Sequence, residues 1–470
     1  MNVLLINPPI APRERGNAVV ARLFYNSMPL GLGYLAAVAE RDGHRARIID
    51  AAVEHLSMSE LMAEVAAEKP DLVGITGVTT SWAMTAATGK AIKQRWLGLP
   101  VIAGGPHAAA WREEAMNDAP FDAICIGEGE IAFARLLGGE AWRDIPGLFL
   151  RENGDVRFTG EAECVDDLDD IPYPARHLMN ADHYRPIPAD YRELPKIPMI
   201  TTRGCPHSCI FCDKSVFGRR MRAHTVEHVL DEMEHCIRDH GARGIAFLDS
   251  TFATLRERAK EIARGIIRRG IRTDWTCTLR ADSVDEELFA LMAEAGCWRC
   301  RLGIESGDPE ILRRIDKDVE VEQIRRAADM ADRAGIQVKA FFMIGHFGEN
   351  DASVRRSVEL AKSLPLMEVT VQLNTPMRNT PQEEHWPEWG NLLGQSTTDF
   401  SYWEPVFVPH GWTPEKLVAA QRRFYREFLF RPGLWWRHLK NIKGWRDVRR
   451  YLEAARLVLY LTLGRDQRDA

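Results

Sequence analysis

Short apolar runs alternate along the first third of the chain with segments whose apolar positions recur at helical spacing. Val3 to Ile6, Ala46 to Ile49, Leu72 to Thr76, Val101 to Ala103 and Ala123 to Ile126 read as buried strands, with Leu32 to Arg41 and Met58 to Glu68 as amphipathic helices between them. Strands that are apolar throughout need cover on both faces, so this alternation predicts a doubly wound, Rossmann-like parallel α/β sheet over residues 1–140. Residues 141–195 change texture. Gly147 to Arg151 and Val156 to Thr159 flank Asn153-Gly154, a tight-hairpin signal, and the acidic, proline-rich stretch that follows reads as a linker.

Strand-then-helix patterning returns over residues 196–385. Strands are predicted at Met199 to Thr202, Gly244 to Leu248, Arg272 to Leu279, Cys300 to Ile304, Ile336 to Ile344 and Val369 to Leu373, with helices such as Val226 to Asp239 and Val321 to Ala334 between. Six such units make a partial (β/α)6 barrel, whose chemistry belongs on the loops at the carboxyl ends of its strands. Residues 386–470 read as a helical extension in which Arg422, Arg423, Arg426, Arg431, Arg437, Lys440, Lys443, Arg446, Arg449 and Arg450 are interleaved with Phe424, Tyr425, Phe428, Phe430, Trp435, Trp436 and Trp445.

Composition narrows the class. The chain has 470 residues, 45% hydrophobic and 27% charged, with a net charge of −6, so it is expected to fold as several domains without a general affinity for nucleic acid. Nine cysteines in a chain that opens straight into a strand predict reduced thiols and metal ligation in a cytoplasmic setting. No apolar run approaches the roughly 18 residues that span a bilayer.

The chemistry concentrates in Thr201 to Asp213, T-T-R-G-C-P-H-S-C-I-F-C-D, which follows the first barrel strand. Cys205, Cys209 and Cys212 can meet one metal cluster from a single loop, and a fourth cysteine is missing from it. A closed zinc site would want that fourth ligand. His207 lies inside the loop and reads as a shaping residue.

This C-x3-C-x2-C spacing, with Phe211 before the last cysteine, resembles the signature of radical S-adenosylmethionine (SAM) enzymes. The resemblance implies a 4Fe-4S cluster on the three cysteines, SAM on its open iron, and a 5′-deoxyadenosyl radical formed with an electron from a flavodoxin- or ferredoxin-type reductant. It also implies SAM contacts at Phe211, Asp249, Ser250, Thr251, Arg280, Glu305 and the glycine-rich turn at Gly345. Each has a plainer reading. Asp249 to Thr251 suit a helix cap, Arg280 a pairing with Asp282, and Glu305 a cap. Phe347 stands where many relatives have proline.

The first section carries N-P-P at Asn7-Pro8-Pro9, a run from Pro29 to Leu35 that includes Gly31, then Thr79-Thr80-Ser81, Gly104-Gly105-Pro106-His107 and Gly127-Glu128-Gly129. In this order the motifs look like the cobalamin-binding domain at the front of many radical SAM enzymes. No D-x-H-x-x-G occurs, so no histidine is evident as a lower cobalt ligand; His107 reads as a cap or packing residue. The rival reading is a flavodoxin-like domain without a cofactor.

The resemblance implies a cobalamin-dependent methyltransferase acting on an unactivated carbon of a small-molecule, lipid or tetrapyrrole substrate. The alternatives are a radical oxidative cyclase and a non-catalytic corrin or redox sensor. Cys297 and Cys300 read as packing residues. The basic, aromatic tail suits packing on the barrel, substrate contact, or peripheral contact with an anionic membrane.

Overall fold

The computed structural model describes residues 1–11, 27–394, 404–442, 444–445, 447–449 and 451–452. Its first unit is a seven-stranded sheet made of β1 (Asn2–Asn7), β2 (Arg45–Asp50), β3 (Leu72–Thr76), β4 (Val101–Gly104), β5 (Ala123–Cys125), β6 (Leu148–Glu152) and β7 (Asp155–Phe158) in the order 2-1-3-4-5-6-7. The first five strands are parallel. Val3 and Leu5 face one core and Leu4 and Ile6 another, as a sheet buried on both sides requires. Order 2-1-3-4-5 reverses direction between β1 and β3, and ligands of such sheets bind beside that switch point.

Helices α1 (Leu30–Arg41), α2 (Met58–Glu68), α3 (Trp82–Arg95), α4 (Pro106–Trp111) and α5 (Glu130–Leu137) cover the sheet. The hairpin expected within the linker does form, and Asn153 (φ 52°) and Gly154 (φ 96°) supply its two left-handed turn residues. It belongs to the first sheet, however: β6 pairs antiparallel with β5. The free edge of β5 offers unpaired backbone groups that the hairpin satisfies, which local pattern cannot reveal.

The second sheet is parallel throughout and takes its strands in chain order: β8 (Lys196–Met199), β9 (Gly244–Phe247), β10 (Asp274–Leu279), β11 (Cys297–Glu305), β12 (Gln337–Ile344) and β13 (Leu366–Leu373). Helices α6 (Val226–His240), α7 (Arg256–Arg269), α8 (Glu286–Glu294), α9 (Pro309–Arg314), α10 (Val321–Arg333) and α11 (Asp351–Ser363) connect them as a partial barrel. At the amino end of the barrel, linker residue Asp190 lies 3.4 Å from the Lys339 ammonium and 3.7 Å from the Arg299 guanidinium. These charges lie at the opposite end from the loops on which a barrel places its chemistry.

The tail departs from the expected run of helices. After α12 (Pro381–Trp389), the strands β14 (Gly390–Leu392) and β15 (Phe407–Pro409) pair antiparallel before α13 (Pro414–Leu429) and α14 (Pro432–Lys440). Helix α13 buries Phe424 and Phe428 completely against the barrel, each worth about 1.5–3 kcal/mol. Tyr425 Oη accepts from the Val371 N–H at 2.9 Å, and Gln421 Nε2 donates to the Val371 carbonyl at 2.8 Å, closing the β13 edge. Lys443, Arg446 and Arg450 lie outside the described residues.

Candidate active site

The cluster loop leaves the first barrel strand through a two-residue pairing of Thr202–Arg203 with Arg222–Ala223. Gly204 follows at φ 88°, and a Cβ there would lie 2.1 Å from the Arg220 carbonyl oxygen, so only glycine fits where the loop doubles back. The Cys205 N–H donates to the Gly218 carbonyl and the Cys212 N–H to the Cys209 carbonyl, both at 3.2 Å. All nine cysteines are free thiols. Three thiols on one short loop, with Cys205 and Cys212 facing an open space, are a donor set suited to an iron-sulfur cluster.

That open space is a cavity of about 580 Å³ between the carboxyl ends of the two sheets. Its barrel wall includes Cys205, Cys212, Phe217 and Ser250; its opposite wall includes Gly31, Ser81, Gly104, Gly105, Pro106, Gly127, Glu128 and Gly129. The cavity also runs inward among Leu5, Leu72, Ile102, Phe133, Leu136 and Leu148. A Cβ on Gly31 would meet nothing within 4 Å, and one on Gly104 nothing closer than 3.5 Å. Such a bare, broad space fits a flat macrocycle, and its apolar recess fits an aromatic appendage of one. Pro8, Pro9, Thr79 and Thr80, expected at the corrin from their place after the strands, are not part of this lining.

His107 is fully buried. Its ring stacks on Trp82 at 4.3 Å and on Trp111 at 5.2 Å, and Nδ1 lies 3.3 Å from Thr79 Oγ1. Burial holds its imidazole down to about 3, so it is a neutral packing residue, as one of its two sequence readings had it.

The loop Gly127-Glu128-Gly129-Glu130 does more than line the cavity. Glu128 accepts from Arg203 Nη1 at 2.7 Å and also from Arg222, while Arg203 Nη2 donates to Glu130 at 2.7 Å. All four side chains are nearly or wholly buried. Both Glu128 oxygens are engaged, and the pairs tie the first sheet to the base of the cluster loop.

The remaining strand ends sort by what holds them. Asp249 accepts from the Thr201 and Thr202 N–H groups at 2.6 and 2.8 Å and from Thr201 Oγ1 at 2.8 Å. It therefore braces the start of the cluster loop and caps no helix, since α7 begins only at Arg256. Thr251 Oγ1 is buried without a partner. Arg280 pairs with Asp282 at 2.9 Å, donates to the Lys317 carbonyl at 2.7 Å and brings Nη1 to 3.6 Å from Cys209 Sγ. Glu305 sits at φ 64° beside a shift in strand register, and Lys317 Nζ lies 3.0 Å from its carboxylate. A left-handed non-glycine residue costs about 1–3 kcal/mol and persists where its surroundings hold it, here the Lys317 pairing and the register shift.

Gly345 (φ 98°) donates its N–H to Glu349 at 2.6 Å, and its carbonyl accepts from Asn374 Nδ2 at 3.1 Å. Around this turn several buried polar atoms lack partners: both ring nitrogens of His346, Asn374 Oδ1 and both amide atoms of Gln382. Phe211 stands 6.0 Å from His346, and the Gln382 N–H donates to the Ile210 carbonyl at 3.2 Å. Orphaned polar groups are costly unless water or a ligand completes them, and their donor and acceptor mix suits a nucleoside or amino-acid portion. Sequence reasoning missed Lys317, His346 and Gln382, because no local spacing marks them.

One further cluster is closed on itself. His224 and His228 each bring Nδ1 to Asp169 Oδ1, at 2.9 and 3.3 Å, and Thr225 Oγ1 donates to Oδ2 at 2.6 Å. The three ligand-type side chains lie within 4.8 Å of one another, yet they already satisfy one another and fasten the linker to α6.

Residues 199–361 match the Radical SAM superfamily and residues 16–137 the B12 binding domain. The chain is 32% identical over 438 residues to an uncharacterized methyltransferase of Pyrococcus horikoshii, covering 92% of this chain and 93% of that one. It is 26% identical over 453 residues to an anaerobic magnesium-protoporphyrin IX monomethyl ester cyclase of Rubrivivax gelatinosus, covering 92% of this chain and 78% of that one. In fold it is similar to the radical SAM methyltransferase TsrM from Kitasatospora setae, with a TM-score of 0.71 at 18% identity over 92% of this chain and 90% of that one. It is also similar to the cobalamin-dependent enzyme OxsB, with a TM-score of 0.67 at 19% identity over 78% of this chain; it spans about half (53%) of the OxsB chain.

Proposed function

The chain belongs to the cobalamin-dependent radical SAM methyltransferase family, with a 4Fe-4S cluster, SAM and cobalamin as its cofactors, and from that premise we propose that it methylates an unactivated carbon of a small-molecule, lipid or tetrapyrrole substrate. The observation that carries the proposal is the shared cavity: Cys205 and Cys212 open on the same space as Gly31, Gly104, Gly105 and Gly129. A carbon held there is within reach of both walls, and methyl transfer needs hydrogen abstraction and methyl delivery at one atom.

In this reading Cys205, Cys209 and Cys212 would hold the cluster, and the glycine-lined wall would hold the corrin. Bound together, the cofactors supply a hydrogen-abstracting radical from reductive SAM cleavage and a transferable methyl group. Arg280 sets positive charge against the Cys209 sulfur and would attract the carboxylate of SAM. Thr251, His346, Asn374 and Gln382 have buried polar atoms that SAM or substrate would satisfy, and Glu305, paired with Lys317, would accept from the ribose hydroxyls. Arg203, through Glu128 and Glu130, fixes the distance between the two walls. The electron comes from an external flavodoxin- or ferredoxin-type donor.

Product stoichiometry tests this. Anaerobically reconstituted enzyme with cobalamin, SAM, reductant and substrate is expected to form S-adenosylhomocysteine and 5′-deoxyadenosine in equal amounts. Deoxyadenosine alone, with an oxidised or cyclised product, would replace methyl transfer with the cyclase chemistry named for the Rubrivivax relative.

A further inference from the structure

The end of the described chain exposes a surface that neither the barrel nor the cavity uses. Helix α14 fixes one edge by burying Leu434, while Trp435, Trp436 and Leu439 are 55%, 60% and 59% exposed. Phe430 before it and Trp445 after it are 71% and 80% exposed. Among the described residues, the tryptophans that are exposed are these three alone, so the patch is not a sample of the general surface. A soluble face has little reason to collect them, since each large ring left in water forgoes its burial energy.

Charge separates the same stretch from the rest of the molecule. Between positions 431 and 452 the sequence has seven basic residues and one acidic, a balance of +6 in a chain whose net charge is −6. Lys440 Nζ lies 5.3 Å from the centre of the Trp436 ring, so a cation and an aromatic edge are presented together. Trp435 Nε1 already donates to the Leu429 carbonyl at 2.9 Å, which lowers the cost of moving its ring out of water. Arg431 is turned inward, onto the Ala361 and Lys362 carbonyls, and anchors the helix to the barrel.

We propose that this face docks on an anionic lipid bilayer, with the Trp435, Trp436 and Leu439 side chains entering the interface and Lys440 meeting lipid phosphates, while Arg437 stays paired with Asp332. Tryptophan beside lysine and arginine is the composition favoured where apolar and charged media meet, and basic residues near an anionic surface add attraction residue by residue. No helix among the described residues is long and apolar enough to cross a membrane, so the contact is peripheral. The proposal is independent of the reading of the cavity.

The test is co-sedimentation of the full chain with vesicles of equal parts phosphatidylglycerol and phosphatidylcholine, against vesicles of phosphatidylcholine alone. Binding is expected to the anionic vesicles only, to fall steeply at about 0.5 M salt, and to weaken at least about tenfold in W435S/W436S. Iron content and circular dichroism, measured in parallel, are expected to match the parent, which separates lost docking from lost folding. A further variant, K440E, is expected to weaken binding with both tryptophans retained. Equal binding to both vesicle types, or undiminished binding by W435S/W436S, would overturn the proposal. So would a chain that ignores both vesicle types but forms a dimer broken by W435S/W436S, since the face would then belong to a second copy.

Discussion

Arg203 and Glu128 meet at 2.7 Å across the boundary between the two sheets, both almost fully buried. Glu128 stands on the loop that lines the cavity, and Arg203 lies two residues before Cys205. With the Arg203–Glu130 and Arg222–Glu128 pairs, this ion pair ties the glycine-lined wall to the cluster loop.

Removing Arg203 would strand the Glu130 carboxylate and leave Glu128 with Arg222 alone. Arg203→Met is expected to cost about 3–5 kcal/mol of stability, read as a shift in urea unfolding, and to lower retained corrin after gel filtration. Iron content should change less than corrin content, because the three cysteines stay on one loop. A variant that keeps both stability and corrin would show that the pair does not hold the walls together.

Arg280 lies 3.6 Å from the Cys209 sulfur. A cation there favours the state with the added electron, so Arg280→Gln should move the cluster's reduction potential negative, by on the order of tens of millivolts. A redox titration followed by electron paramagnetic resonance reads the shift directly. An unchanged potential with normal iron content would remove Arg280 from the electrostatics of the cluster.

Acid and alkali should act on different groups. Burial holds His107 and His346 down to about 3 and His224 to about 4. Unfolded imidazoles titrate near 6.5, so between about 4 and 6.5 the unfolded chain binds more protons and stability rises with pH. Glu349 is pushed up to about 8 by burial; its contribution is complete below about 4.5 and is lost as pH rises through 8. Urea midpoints at about pH 4.5, 6.5 and 8.5 check both limbs. His346→Phe should flatten the acid limb and Glu349→Gln the alkaline one.

Gly31 lines the cavity from within α1 and has open space where a side chain would grow. Gly31→Leu should leave the melting temperature unchanged or raise it, since leucine favours a helix over glycine by up to about 1 kcal/mol. Corrin binding should fall at the same time. Retained corrin with retained stability would place the macrocycle away from that wall.

Much of this was legible in order along the chain. The Leu72 to Thr76 strand and the Met58 to Glu68 helix stand where periodicity put them, because a strand or helix buried on a known face writes its period into the sequence. The loop of Cys205, Cys209 and Cys212 stands out for a different reason, since three thiols that are to meet one cluster from one loop require a fixed local spacing. Asp249 and Glu128 were located as strand-end residues, but their partners were not legible: Thr201 and Thr202 lie about fifty positions from Asp249, and Arg203 lies 75 from Glu128.

The sequence by itself determined the two sheets, the three thiols and the glycine-rich loops, because each depends on neighbours a few residues apart. Only the tertiary structure decided that the hairpin of β6 and β7 completes the first sheet, that His107 is sandwiched between tryptophans, and that both sets of loops open on one cavity. Those facts depend on contacts between distant segments, whose pairing is selected by the free energy of the whole packed chain and leaves no period or spacing for a reader to find.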